Sequence, residues 1–215
     1  MGENRDPLRL RRRRVTSAGR VSLRHQVAIE GEQKEDAMQW LNEPASWSQE
    51  PGVLRVKADA GTDFWRTTGY GYVRDNGHFY GGLAAFEFDL SMRVVGAFSA
   101  QYDQAGAMVR LDERNWVKTG IEFFEGRPRL STVVTYENSS WVVAELAPST
   151  KELTLSLKRR GDALEVHYSA DGGPLELAAL VYLTPEVPAL AGPMCAAPEG
   201  SGFEVSFHDL AFAAL

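Results

Sequence analysis

The chain predicts an all-β fold in which two antiparallel sheets pack as a jelly-roll sandwich. Three features of the sequence predict it. Apolar and polar residues alternate with period two from Leu54 onward, turn-forming residues separate the alternating runs, and no amphipathic helix of ten or more residues can be drawn.

Phe86, Phe88, Leu90 and Met92 alternate with Glu87, Asp89, Ser91 and Arg93. Further along, Leu153, Leu155 and Leu157 form one such run, Leu164, Val166 and Tyr168 a second, and Phe203, Val205 and Phe207 a third. Each run buries one face and wets the other, as antiparallel sheets do. Asp75-Asn76-Gly77, Glu125-Gly126, Gly161-Asp162 and Asp171-Gly172-Gly173 supply residues that tolerate positive φ between them. Pro185, Pro188, Pro193 and Pro198 break the stretch after Leu175 that could otherwise read as a helix. Spacing of about 8–12 residues per strand gives roughly 11–13 strands from Val53 to the C-terminus. No linker interrupts the pattern, so residues 38–215 read as one domain.

The 215 residues carry a net charge of -6, which divides unevenly. Residues 1–37 are +3, include the run Arg11-Arg12-Arg13-Arg14 and hold no aromatic residue; the rest is -9 and holds every Trp, Tyr and Phe. The first 37 residues therefore read as a disordered basic arm, a misassigned start or an expression-derived extension, with Lys34-Glu35-Asp36-Ala37 resembling a translated ribosome-binding site ahead of Met38. No apolar h-region follows the arginines, so they are not a twin-arginine export signal. The acidic body argues against nucleic acid as partner, and no apolar run reaches membrane-spanning length. The single cysteine, Cys195, makes no intrachain disulfide and no Cys-rich zinc site, fits a reducing cytoplasmic location, and is expected to be buried. The four histidines are scattered, so neither a metal nor a cofactor is expected.

Candidate site residues lie in two segments. On a strand through residues 116–124, Trp116, Lys118, Gly120, Glu122 and Phe124 share one face, opposite a plain core face of Val117, Thr119, Ile121 and Phe123. An aromatic plate, a cation, a gap and a carboxylate in sequence suit a polyhydroxylated ligand. Tyr102, Asp103 and Gln104 precede that strand, and the aromatic-rich segment 63–80 adds Trp65, Tyr70 and His78. In this reading Trp65 and Trp116 stack on a sugar ring, Asp103, Gln104 and Glu122 bond hydroxyls, and Lys118 orients an anionic group. The Glu87-Phe88-Asp89 pair lacks the further acid that a jelly-roll glucanase places at Met92. An enzymatic alternative uses Asp103 and Glu122 as the carboxylate pair of a glycan hydrolase or lyase, assisted by His78 or Tyr102.

The elements Trp40-Leu41-Asn42-Glu43-Pro44, Thr62-Asp63-Phe64-Trp65-Arg66, Asp75-Asn76-Gly77-His78-Phe79, Tyr102-Asp103-Gln104-Ala105-Gly106, Trp116-Val117-Lys118-Thr119-Gly120-Ile121-Glu122 and Ser131-Thr132-Val133-Val134-Thr135 occur in this order. Together they resemble a bacterial and fungal family of unknown function known as regulation of enolase protein, concanavalin A-like superfamily. The resemblance runs from residue 38 to about residue 210. It implies a concanavalin A-like sandwich of the lectin/glucanase type, similar to the C-terminal sandwich of some β-xylosidases, and no established reaction. The chain departs from the family pattern at Ser139-Ser140-Trp141, where Ser-Asp-Trp is usual, and at Ala107, where a larger residue is usual.

The sequence thus leads to a non-catalytic jelly roll, monomeric or homodimeric, that binds a carbohydrate-like small molecule. The alternatives are a protein-interaction module that regulates a metabolic enzyme, and the Asp103/Glu122 glycan-active enzyme.

Overall fold

A computed structural model describes residues 38–215 except Ala85. The arm before Met38, with its arginine run, lies outside the described residues. Those residues contain no helix. The strands are β1 (Gln39–Leu41), β2 (Ser46–Glu50), β3 (Val53–Ala58), β4 (Phe64–Arg66), β5 (Val73–Asp75), β6 (His78–Leu83), β7 (Phe88–Gly96), β8 (Gln104–Arg110), β9 (Asn115–Phe124), β10 (Arg127–Tyr136), β11 (Asn138–Glu145), β12 (Glu152–Arg160), β13 (Ala163–Ala170), β14 (Glu176–Tyr182), β15 (Leu190–Ala196) and β16 (Phe203–Ala214). A front sheet runs β1-β6-β15-β8-β9-β10-β11, a back sheet β14-β13-β12-β7-β16-β3-β2, and β4 and β5 form a separate two-stranded hairpin. Every ladder is antiparallel. The fold is the two-sheet jelly-roll sandwich that the alternation implies.

The alternation places the core between the sheets. Leu90, Met92 and Val94 from β7, Leu153, Leu155 and Leu157 from β12, and Phe203, Val205 and Phe207 from β16 face Ala105, Ala107 and Val109 of β8 and Val117 and Ile121 of β9. Asp89 and Glu87 point outward: Asp89 pairs with Arg160 at 2.8 Å, while Glu87 accepts the Gly161 amide. These two acids therefore sit on the solvent side of the back sheet.

From Val53 onward there are fourteen strands, more than the alternation predicts. The three-residue strands β4 and β5 are too short to show a period. Pro193 lies inside β15, where the ladder to β6 skips from Ala191 to Met194 and no amide is required of it. The two-residue turn Glu125-Gly126 joins β9 to β10 with φ of 52° and 77°, as a type I′ hairpin demands. Asp75-Asn76-Gly77 is not a hairpin turn, because β5 pairs with β4 and not with β6. Asn76 instead pins the hairpin: its side-chain oxygen accepts the Asp63 amide and its amide donates to Gly61 O.

The β4–β5 hairpin lies over the outer face of the front sheet. The Arg66 amide donates to Ser139 Oγ, the Arg66 side chain donates to Glu137 O, and Arg110 of β8 grips Asp75 bidentately at 2.7 and 2.8 Å. Phe64 and Trp65 thereby cover Met108, Trp116, Val133 and Met194 in a second apolar cluster, away from the main core. This explains why β8 is buried along its whole length, on both faces, and β9 over all but its ends.

Candidate functional site

Parity and register together build the site on the outer face of the front sheet. Lys118, Gly120 and Glu122 project from β9. On one side they meet Met108, Gly106 and Gln104 of β8, and on the other Val133, Ser131 and Arg129 of β10. Trp141 of β11 stands beside Val133. Beside the apolar contacts of Phe64, the hairpin and the outer face of the sheet enclose a cavity of ≈ 260 Å³. Asp63, Gln104, Lys118 and Glu122 form its polar floor, Trp65, Tyr70, Tyr72, Tyr102 and Trp141 its aromatic wall, and Arg74 and Glu199 also line it.

The wall is a connected set of rings. Trp65 meets Tyr70 edge-on at 5.5 Å, Tyr70 stacks on Tyr72 at 5.7 Å, and Trp141 stands edge-on to Phe124 at 4.9 Å. The Tyr70 and Tyr102 hydroxyls meet at 3.4 Å across the site. That hydrogen bond, with burial second, pushes the Tyr70 hydroxyl pKa up to about 12. Tyr102 holds φ of 66°, a strained conformation for a bulky residue, of a kind that clusters at binding sites.

The floor spends its donors internally. Lys118 Nζ donates to Phe64 O at 2.7 Å, Asp63 Oδ1 at 3.4 Å and Gln104 Oε1, which uses all three of its protons. Gln104 Nε2 donates to Asp63 Oδ1 and Tyr102 O. The Trp65 indole donates to Thr68 O, and the Trp141 indole to Glu122 Oε2 at 2.9 Å and Ser131 Oγ at 3.0 Å. The Glu122 and Asp63 carboxylates are left with acceptor capacity facing the cavity.

Burial raises the Glu122 carboxyl above the usual carboxylate range; the Lys118 charge and the bonds from Ser131 and Trp141 oppose that rise without cancelling it. The folded state therefore holds this proton more tightly than the unfolded chain does. The associated stability is complete below the unfolded carboxylate range and is lost as pH rises through the raised folded value. Glu122→Gln should accordingly raise the melting temperature at pH 8 and leave it unchanged at pH 4. Thermal unfolding followed by circular dichroism at the two pH values checks this, and an equal shift at both would refute it.

Of the nine residues singled out from sequence, Trp65, Tyr70, Tyr102, Gln104, Lys118 and Glu122 converge on this cavity. Three do not line it. Trp116 is 2% exposed and packs under Phe64 in the second apolar cluster, so it offers no face to a ring. Asp103 turns away: its Oδ2 accepts the amides of Ser99 and Ala100, where it holds a loop. No Asp103/Glu122 pair is therefore assembled in the cavity. His78 accepts the Asp59 amide at Nε2 and donates from Nδ1 to Asn42 O, a pattern that assigns a neutral structural imidazole. Lys118 cannot orient an anion as expected, because its donors are occupied. Cys195 is buried in β15, and burial pushes its thiol pKa up, away from nucleophilic chemistry. Among the described residues no group of three or more His, Cys, Asp or Glu converges to hold a metal.

Asp63, Tyr72, Arg74, Trp141 and Glu199 also line the cavity; Asp63 and Tyr72 fall in the aromatic-rich segment 63–80 that the sequence offers as a pocket mouth, while sequence reasoning passed over the other three. Trp141 carried a usable signal: alternation from Ser139 puts both residues on the face that Trp116 and Lys118 share. Glu199 carried none, since a loop brings it in.

Residues 40–215 match the family described as Protein of unknown function (DUF1349). The chain belongs to the DUF1349 family. A relative from Saccharomyces cerevisiae, Regulation of enolase protein 1, is 38% identical to this DUF1349 chain over 170 residues, 79% of the chain and 86% of the relative. The crystal structure of a functionally unknown Saccharomyces cerevisiae protein superposes with a TM-score of 0.79 at 36% identity, over 83% of this chain and 96% of that one. Xylan β-1,4-xylosidase from Bacillus halodurans superposes with a TM-score of 0.62 at 14% identity, over 85% of the DUF1349 chain and 39% of the xylosidase chain, a likeness of fold alone.

Proposed function

We propose that the domain is a non-catalytic binder of a small carbohydrate or similar polyhydroxylated ligand, held in the cavity on the outer face of the front sheet. The observation that carries this reading is the imbalance of hydrogen-bonding groups: the floor's donors are spent on protein acceptors while its carboxylates still accept. A ligand rich in hydroxyl donors completes such a floor, and an aromatic wall of Trp65, Tyr70 and Trp141 suits the apolar C–H groups of a sugar ring. A volume of ≈ 260 Å³ suits one ring rather than a chain. The xylosidase whose structure shares this fold acts on a glycan, which is consistent with the reading. Catalysis is not part of it, because Asp103, the second acid of the candidate pair, is turned into the Ser99–Ala100 loop and away from Glu122.

A glycan array followed by calorimetry tests the proposal. At least one neutral sugar should bind, and Tyr70→Ala should weaken it about tenfold, the loss of one ring contact worth roughly 1.4 kcal/mol, with little change in melting temperature. No sugar binding, or binding indifferent to Tyr70, would overturn it; release of nitrophenol from nitrophenyl glycosides would overturn the non-catalytic part.

A second reading, a protein-interaction module acting on a metabolic enzyme, is favoured by the name of the 38%-identical yeast relative and by the back-sheet edge strand β14, where Leu177, Leu180 and Tyr182 are exposed. Co-purification of the full chain with purified enolase, lost in Leu180→Glu, would support it; a chain that elutes alone would dismiss it.

A further inference from the structure

We propose that the cavity selects a ring bearing a protonated amine, an amino sugar, over neutral and acidic sugars of the same shape. This rests on the reading of the cavity as a sugar site and adds the charge of its ligand.

The argument is a count of charges around Glu122, which is only 6% exposed. Lys118, on the same strand, already has a carboxylate partner in Asp63 and has no proton left to donate. Arg129 stands directly across on β10, but its guanidinium bonds Glu145 and Glu125. Arg74, on the hairpin, lies over the Tyr72 ring at 5.5 Å. From β8 comes the neutral Gln104, from β10 and β11 the neutral Ser131 and Trp141, and from the loops the Tyr70 and Tyr102 hydroxyls. Glu122 thus has neutral hydrogen-bond donors and no cation in direct contact: the Lys118 charge acts on it only through space and is shared with Asp63. A buried carboxylate in that position is costly until a positive charge reaches it.

An ammonium group on the ligand supplies that charge. It also meets the aromatic wall formed by Trp65, Tyr70 and Trp141, and aromatic rings attract cations most strongly where water is excluded. Glu199, also lining the cavity, adds a further acid. The lining holds three acids, Asp63, Glu122 and Glu199, against Lys118, which is bonded to Asp63, and Arg74, which lies over Tyr72, so a sugar carboxylate in the same place would meet a net negative surface. Burial already shifts the Glu122 carboxyl toward its protonated form. Binding of an ammonium favours the ionised form, so affinity for the amine weakens as pH falls through the raised Glu122 value.

Calorimetric titration of the full chain with D-glucosamine, N-acetyl-D-glucosamine, D-glucose and D-glucuronic acid tests this at about pH 6.5, where an amine of ordinary pKa is charged. D-Glucosamine should bind about tenfold tighter than D-glucose or the N-acetyl sugar. D-Glucuronic acid should not bind. Glu122→Gln should reduce the preference to within about twofold, and Glu199→Gln, at an exposed residue and so safe for folding, should reduce it in part. If D-glucose binds as tightly as D-glucosamine, or the preference survives in both variants, the amine inference falls while the sugar site stands. If none of the sugars on the array or in the titrations binds, both fall.

Discussion

Lys118→Met should lower the unfolding free energy by about 3–5 kcal/mol, because removing one partner of a buried ion pair leaves the other charge without compensation. Lys118 is 4% exposed and its partner Asp63 is 12% exposed, and Phe64 O and Gln104 Oε1 lose their donor in the same step. For a domain of this size the melting temperature should fall by roughly 10 °C. Asp63→Asn in the same chain removes the stranded charge, so the double variant should lose clearly less than the sum of the two single losses. Chemical denaturation of the four proteins measures the coupling. A loss below about 1 kcal/mol for Lys118→Met would put the pair on a par with an exposed salt bridge and refute its role as the fixed point of the floor.

How the floor is built also shows what a one-dimensional reading can reach. The sandwich was legible because burial on one face imposes period two: Leu153, Leu155 and Leu157 had to point one way, and they do. The same rule put Lys118 and Glu122 on one face with Gly120 between them. It could not show that the outer face of β9 is covered at one end and open at the other, since that depends on where a distant hairpin lands. Trp116 and Lys118 share a parity, yet Phe64 lands on Trp116 and buries it, while Glu122, four residues further along from Lys118, lines open space. Asp103 failed for a related reason. It sits one residue before β8, and in a turn the parity rule no longer says where a carboxylate points; the Ser99 and Ala100 amides decide that. Asn76-Gly77 has the composition of a turn, but the partner strand of β5 is β4, and pairing is a long-range choice that turn residues do not settle alone.

Gly120→Ala should unfold the front sheet at its centre and abolish the proposed sugar binding with it. Gly106 and Gly120 face each other across the β8–β9 ladder, and a Cβ on Gly120 would stand 2.6 Å from Gly106 Cα and closer still to Ala105 O. A Cβ on Gly106 would collide in turn with Thr119 O and Gly120 Cα. These obstacles are backbone atoms of a paired strand, so no rotamer change relieves them and the two strands must separate. The expected cost is about 3 kcal/mol or more, at or above the upper end of ordinary overpacking. The site cannot escape this strain. Lys118 and Glu122 flank Gly120 on one strand, Gln104 flanks Gly106 on the other, and the Lys118–Gln104 bond spans the gap that would open. Stability and binding should therefore fall together in Gly120→Ala, whereas Tyr70→Ala weakens binding alone. Amide hydrogen exchange resolves the two cases, with protection lost across β8 and β9 in the glycine variant and retained in the tyrosine variant. A Gly120→Ala protein that melts within about 1 °C of the parent would show that the ladder absorbs a methyl group and that the close approach of the strands is not required by the fold.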